Sequence, residues 1–148
     1  MSLNVELLRS SFELVVERSP HLTHRFYEIL FERYPETQTM FAPSRRQAQE
    51  GMLTSALVAV MDHLEDAPWL QNTLHALGAK HIDYGVTNQM YDWVGASLLA
   101  TLAEVCQDEW TNDVEQAWVT AFGAISGLMK EGAALAGASA PAAVTGPA

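Results

Sequence analysis

The feature that most constrains this chain is the spacing of its apolar residues, which recur at helical rather than alternating intervals almost everywhere. Leu53, Leu57, Val60, Met61 and Leu64 form one such stripe, Tyr91, Val94, Leu98, Leu102 and Val105 a second, and Val114, Trp118, Ala121, Ile125 and Met129 a third. Each stripe lies along one face of a helix with 3.6 residues per turn. Helices with one apolar face must bury it against one another, so the pattern predicts an all-α fold with a shared core. A chain of 148 residues, 49% of them hydrophobic, is long enough to bury one such core without staples.

Prolines near first turns and small polar capping residues divide the chain into helices at about 4 to 18, 20 to 34, 36 to 40, 45 to 63, 67 to 82, 88 to 106 and 112 to 134, with ends uncertain by ~2 to 4 residues. Asp66 ahead of Pro68, Thr87 or Asn88, and Thr111 or Asn112 are the expected N-caps. Gly85 stands where a left-handed stop is wanted. From Gly132 the sequence turns to Ala, Gly, Ser, Pro and Thr, which cannot bury enough area to offset ordering entropy. The reading is one domain over 1–135 and a flexible Ala/Gly-rich tail over 136–148.

Charge narrows the partners. With 18 acidic against 8 basic residues the net charge is −10, so nucleic acid and anionic membrane surfaces are excluded as partners, since both require cationic patches. Cys106 is the single cysteine, which rules out an internal disulfide or a thiolate zinc site. The N-terminal residues lack the basic start and apolar run of a signal peptide, and no stretch reaches ~18 to 20 apolar residues. A cytoplasmic location is expected.

Of five histidines, His21, His24, His63 and His75 occur in polar or mixed surroundings that predict solvated positions. His81 closes a short helix in Leu77-Gly78-Ala79-Lys80-His81, where the carbonyl one turn back, at Leu77, can accept a bond from the imidazole. The second nitrogen is then available to a metal, an arrangement that fixes a ligating histidine, although a helical histidine of this kind also serves as a surface or capping residue.

Around His81 the chain resembles the globin family, in particular bacterial single-domain globins and the haem domain of flavohaemoglobins. The likeness runs from about residue 5 to 130 and rests on the order of several short pieces. These begin with Phe26-Tyr27-Glu28-Ile29-Leu30-Phe31, Tyr34-Pro35-Glu36, Met40-Phe41 and Gln49 to Leu53. Lys80-His81 follows, then Tyr91, Val94-Gly95 and Leu98-Leu99, and finally Ala117-Trp118 with Phe122-Gly123. The resemblance implies the globin fold, a 3-on-3 helical sandwich around haem b, with His81 as the iron ligand. It implies that Phe41, Leu53, Leu77, Lys80, Tyr91, Val94 and Leu98 line the haem, and that Tyr27, Gln49 and Leu53 face the ligand on the distal side.

Dioxygen held by ferrous haem carries partial negative charge, which a phenol from Tyr27 and an amide from Gln49 would stabilise in an apolar pocket. Gln49 and Leu53 are four apart and share a helix face. Gln47 is the alternative donor if the preceding loop shifts the register. Flavohaemoglobins also carry a glutamate in the last helix that acts on the proximal histidine with the tyrosine matching Tyr91. The matching position here is Ala133, and Glu131 is two residues away, about 200° around the helix.

The function implied is reversible binding of dioxygen, nitric oxide or carbon monoxide for binding, storage or transport. The first alternative is a nitric oxide dioxygenase served by a separate reductase, because no Gly-rich dinucleotide loop follows the last helix. The second is a gas or redox sensor acting through a partner protein. Trp69, Trp93 and Trp110 would mark a dimer surface if exposed, whereas aromatic residues on helical faces more often belong to the core, so monomer and homodimer are both open.

Overall fold

The computed structural model describes residues 3–40, 43–83 and 86–139. Six α-helices carry the fold: α1 (Val5–Arg18), α2 (Leu22–Arg33), α3 (Arg46–Asp62), α4 (Ala67–Asp83), α5 (Asn88–Cys106) and α6 (Asn112–Ser139). Short 3₁₀ turns at Pro35–Met40, Pro43–Arg45 and Gln107–Glu109 make connections between them. No strand occurs among the described residues.

Local chemistry sets the helix starts. Asn4 accepts from the Leu7 amide at 3.2 Å, Asp66 from Trp69 at 3.2 Å, Thr87 from Met90 at 3.4 Å and Thr111 from Val114 at 3.2 Å. Each satisfies an amide that the first turn leaves without an intrahelical partner. Of the caps predicted from sequence, Asp66, Thr87 and Thr111 act as expected, whereas Gly85 lies outside the described residues. At the far end of α5 the Arg18 guanidinium donates to the carbonyls of Val105 and Cys106 at 3.2 and 2.9 Å. It thereby caps the helix where the chain reverses at Gln107, which has a φ of 51°.

The last helix runs to Ser139 rather than to about 134. The physical reason is the Ala133-Ala134-Leu135 run, built from the strongest helix formers. Only the first part of the tail expected over 136–148 falls within the described residues.

The helices pack in crossed pairs: α4 lies along α6, α2 along α5, and α1 crosses both α5 and α6. The main core joins Leu8, Phe12, Val15, Phe26, Leu30, Val60, Met61, Leu98, Leu102 and Trp118. Burying a side chain of this kind contributes about 1.5–3 kcal/mol. Trp118 brings a polar handle into that core, and its indole N–H donates to Ser11 Oγ at 2.8 Å, so the buried donor is not left unmet. A smaller cluster of Leu74, Tyr91 and Met129 forms between α4, α5 and α6.

Three tryptophans that the sequence leaves between surface and core are half-buried. Trp93 stacks on Tyr34 with ring centroids 4.9 Å apart, Trp69 stacks on His63 at 3.8 Å, and the Trp110 indole donates to Glu115 at 3.2 Å. Large flat side chains gain more from such stacking than from solvent, which helical spacing alone does not reveal. Two histidines are corrected: His63 is half-buried under Trp69, and His75 is 20% exposed and bonded to Glu131 at 2.7 Å. His21 and His24 are exposed as expected.

Candidate functional site

The site lies between two helices that scarcely touch. α3 packs on α2 and α4 packs on α6, while α3 and α4 make almost no close backbone contact. Apolar side chains on the elements around this gap are left only half-buried, namely Leu53 and Leu57 of α3, Leu77 of α4 and Val94 of α5. Leu98 of α5 is buried, whereas Lys80, expected to line the haem, is exposed at the rim of α4, where its long charged side chain keeps its head in water. Half-buried leucines on separate walls, beside two cores that are otherwise well filled, are what a flat apolar group would complete.

On the α4 side, His81 Nδ1 lies 2.7 Å from the Leu77 carbonyl. A carbonyl only accepts, so the ring proton sits on Nδ1 and the lone pair on Nε2, the form that ligates a metal. Tyr91 lies beside the imidazole, with centroids 6.2 Å apart, and burial raises its pKa above the ordinary phenol value. Over the Tyr91 ring stands Lys130, its Nζ 5.7 Å from the centroid and 3.8 Å from Asp92. Glu131 turns away to His75, and Ala133 is half-buried.

On the α2 and α3 side, Tyr27 is buried, with Phe26 packed edge-on at 4.9 Å and Phe31 tilted at 5.9 Å. The Gln49 side chain is near enough to act on its hydroxyl and lowers its pKa. Burial raises the Tyr27 pKa, opposed first by Gln49, so the phenol stays protonated as a donor at neutral pH. Gln49 is half-buried beside it, while Gln47 is exposed. Phe41 lies outside the described residues.

Among the described residues no group of three His, Cys, Asp or Glu side chains could hold a bare ion. A carrier that supplies a metal's other ligands suits a site built on the single imidazole of His81. One imidazole of fixed tautomer, a gap flanked by aliphatic side chains and a polar pair on the other wall together fit haem.

The globin family model matches residues 24–129. The chain belongs to the globin family. Haem is the cofactor of this globin. A flavohemoprotein of Vibrio cholerae is 28% identical over 121 residues, which is 80% of this chain and 31% of that protein. Flavohemoprotein B of Dictyostelium discoideum is 30% identical over 125 residues, 83% of this chain and 29% of the relative. The globin thus spans about a third of the length of these curated relatives. Among solved structures, an engineered carbene transferase derived from a candidate nitric oxide dioxygenase of Rhodothermus marinus superimposes with a TM-score of 0.79 at 27% identity, covering 91% of this chain and 94% of the other. A bacterial globin of Campylobacter jejuni shares the fold, with a TM-score of 0.74 at 22% identity over 87% of this chain and 93% of that one.

Two side chains of the site are not foreseen from sequence: Lys130 over Tyr91, and Arg46, whose guanidinium lies over the Tyr27 and Phe31 rings. The signal is present in the spacing, since Arg46 is three residues before Gln49 and Lys130 three before Ala133, each pair on one helix face. No described helix is long and apolar enough to cross a membrane.

Proposed function

We propose that this globin binds dioxygen reversibly at ferrous haem held by His81, with Tyr27 and Gln49 donating hydrogen bonds to the ligand. The observation that carries the reading is the Tyr27–Gln49 pair itself, a buried phenol under the influence of an amide on the neighbouring helix. Haem supplies an iron valence for a diatomic ligand and the electron it shares with it. The chain's own part is to exclude bulk water with Leu53, Leu57, Val94 and Leu98, to orient His81 through Leu77, and to present two donors. A donor in a low-dielectric pocket is worth more to a partly charged ligand than the same donor in water. Carbon monoxide and nitric oxide, which take up less charge, would depend less on the pair.

A second reading is favoured by the Rhodothermus marinus neighbour: nitric oxide dioxygenase activity, in which nitric oxide, dioxygen and one electron give nitrate. The electron requires a reductase as partner. Donors that hold dioxygen while nitric oxide attacks serve this reaction as well as they serve storage, whereas Ala133 removes the carboxylate that strengthens the proximal ligand in flavohaemoglobins.

The test is the visible spectrum of haem-reconstituted protein in ferric, ferrous and oxygenated forms, beside His81→Ala. A stable oxygenated spectrum that the variant lacks is the expected result. A wild-type protein that takes up no stoichiometric haem overturns the proposal. Nitric oxide added to the oxygenated form, with a reductase and reduced nicotinamide, separates the two readings: sustained nitrate production supports the enzyme, and a single turnover supports the binding protein.

A further inference from the structure

Arg46 opens α3, and its guanidinium lies over two aromatic rings at once, 5.7 Å from the centroid of Tyr27 and 5.1 Å from that of Phe31. It is held from its other side. Nε donates to Glu50 Oε2 at 3.0 Å, and Nη2 reaches the His24 carbonyl at 3.5 Å. The same Glu50 oxygen lies 2.9 Å from His24 Nδ1. The Glu50 side chain is only 18% exposed, well below the carboxylates of the other surface ion pairs, which range from 46% to 76%. Arg46 also lines a polar cleft of about 450 Å³ with His24, Arg25, Glu28 and Gln38, so it stands between open solvent and the tyrosine ring.

We infer that Arg46 is a positioning residue for the distal pair, clamping the Tyr27 ring against Phe31 so that its hydroxyl stays beside Gln49 and toward the ligand. The inference rests on the dioxygen-binding reading above. A cation over a π face is attracted by the ring quadrupole, and a planar guanidinium matches a flat ring where an ammonium does not. Arg46, Gln49, Glu50 and Leu53 follow one another along α3 within two turns, so the clamp, the amide donor and the apolar wall move as one face of the helix. Electrostatics agrees with the placement. Burial raises the Tyr27 pKa most, Gln49 lowers it, Glu50 raises it and Arg46 lowers it again, so the arginine helps keep the hydroxyl a good donor.

The experiment uses haem-loaded Arg46→Leu, Arg46→Lys and Glu50→Gln beside wild type, measuring dioxygen and carbon monoxide dissociation by stopped flow and the Fe–CO stretch by resonance Raman. Dioxygen release is expected to be roughly five-fold faster in Arg46→Leu. Arg46→Lys should be intermediate because it keeps charge but not the flat stack, and Glu50→Gln should shift the same way by less. Carbon monoxide release should stay within about twofold, with the Fe–CO stretch moving toward that of an apolar pocket. Should Arg46→Leu fail to fold, Arg46→Lys and Glu50→Gln carry the same comparison. Folded, haem-loaded variants with unchanged dioxygen release overturn the inference, as does an equal change for both gases, which marks general loosening. Haem uptake and the oxygenated spectrum of wild type check the underlying reading separately.

Discussion

Gly78 of α4 lies directly against the backbone of Met129 on α6, and a β-carbon at Gly78 would overlap the Met129 carbonyl. Gly132 meets His75 in the same way from the opposite helix. The two glycines let α4 and α6 approach backbone to backbone, and His81 follows Gly78 by three residues on the helix so placed. Gly78→Ala is therefore expected to destabilise the protein by about 1–3 kcal/mol through overpacking, and to weaken haem retention because α4 must move outward. Gly51 is the contrasting case, since a β-carbon added there would meet nothing within 4 Å. Gly51→Ala should stabilise α3 by up to about 1 kcal/mol. Urea unfolding of both variants followed by circular dichroism checks the sign of each; equal effects would mean that the α4–α6 contact is not tight.

Removal of the distal hydroxyl should act on dioxygen alone. Tyr27→Phe keeps the ring among Phe26, Phe31 and Arg46 but deletes the hydroxyl that would donate to ligand. The loss of one hydrogen bond to a partly charged ligand is worth about 1.5–3 kcal/mol, or roughly 10- to 150-fold in release rate. Stopped-flow displacement of dioxygen by carbon monoxide reads this directly. Gln49→Leu should show a smaller effect, because the phenol remains.

Alkaline pH gives an independent check on burial of the same group. The folded-state pKa of Tyr27 is raised above the phenol value of 10.0, chiefly by burial. A raised pKa means that the folded protein holds its proton where the unfolded chain has lost it. Its contribution to stability is complete below about pH 10 and is lost as pH rises through the folded value. Dioxygen release should thus stay flat from about pH 7 to about 10, and the melting temperature should fall above it. Tyr27→Phe should show a shallower alkaline fall, with Tyr91, also raised by burial, accounting for part of the remainder. A release rate that climbs already at about pH 8 would show that the phenol is not buried.

Helix positions are legible in the sequence because periodicity and caps are local: the Asp66, Thr87 and Thr111 caps each involve an amide three residues away, which any window of the sequence contains. The His81–Leu77 bond is legible for the same reason, both partners being on one turn. What escapes is what joins distant segments. His75 pairs with Glu131 across 56 positions, Tyr34 stacks on Trp93 between α2 and α5, and Arg46 covers Tyr27 from another helix. Helical spacing shows that a face is polar or apolar but not which partner it meets, so His75 reads as more exposed than it is and Trp93 stays undecided between surface and core. The Gln49–Tyr27 pairing is long-range too, yet the family likeness alone brings those two residues together.

The proximal side offers the prediction that bears most on turnover. Lys130 places a cation over Tyr91, beside His81, while Glu131 is engaged by His75 and Ala133 carries no charge. Residue 133 shares a helix face with Met129 and Lys130, both of which pack on or over Tyr91. A carboxylate introduced there is expected on the side of α6 that packs on Tyr91. It should make the imidazole a stronger donor and favour ferric iron, since a negative group beside the ligand stabilises the more positive state. Ala133→Glu is expected to lower the reduction potential by roughly 60 mV, a tenfold change for a one-electron couple. Lys130→Met, which removes the opposing charge, should move it the same way by less. Spectroelectrochemical titration measures both, and the ferrous iron–histidine stretch should rise in Ala133→Glu but barely move in Lys130→Met, where only a remote charge is lost. An unchanged potential in both variants would mean that Tyr91 insulates His81 from α6, and that ligand chemistry here is set from the distal side.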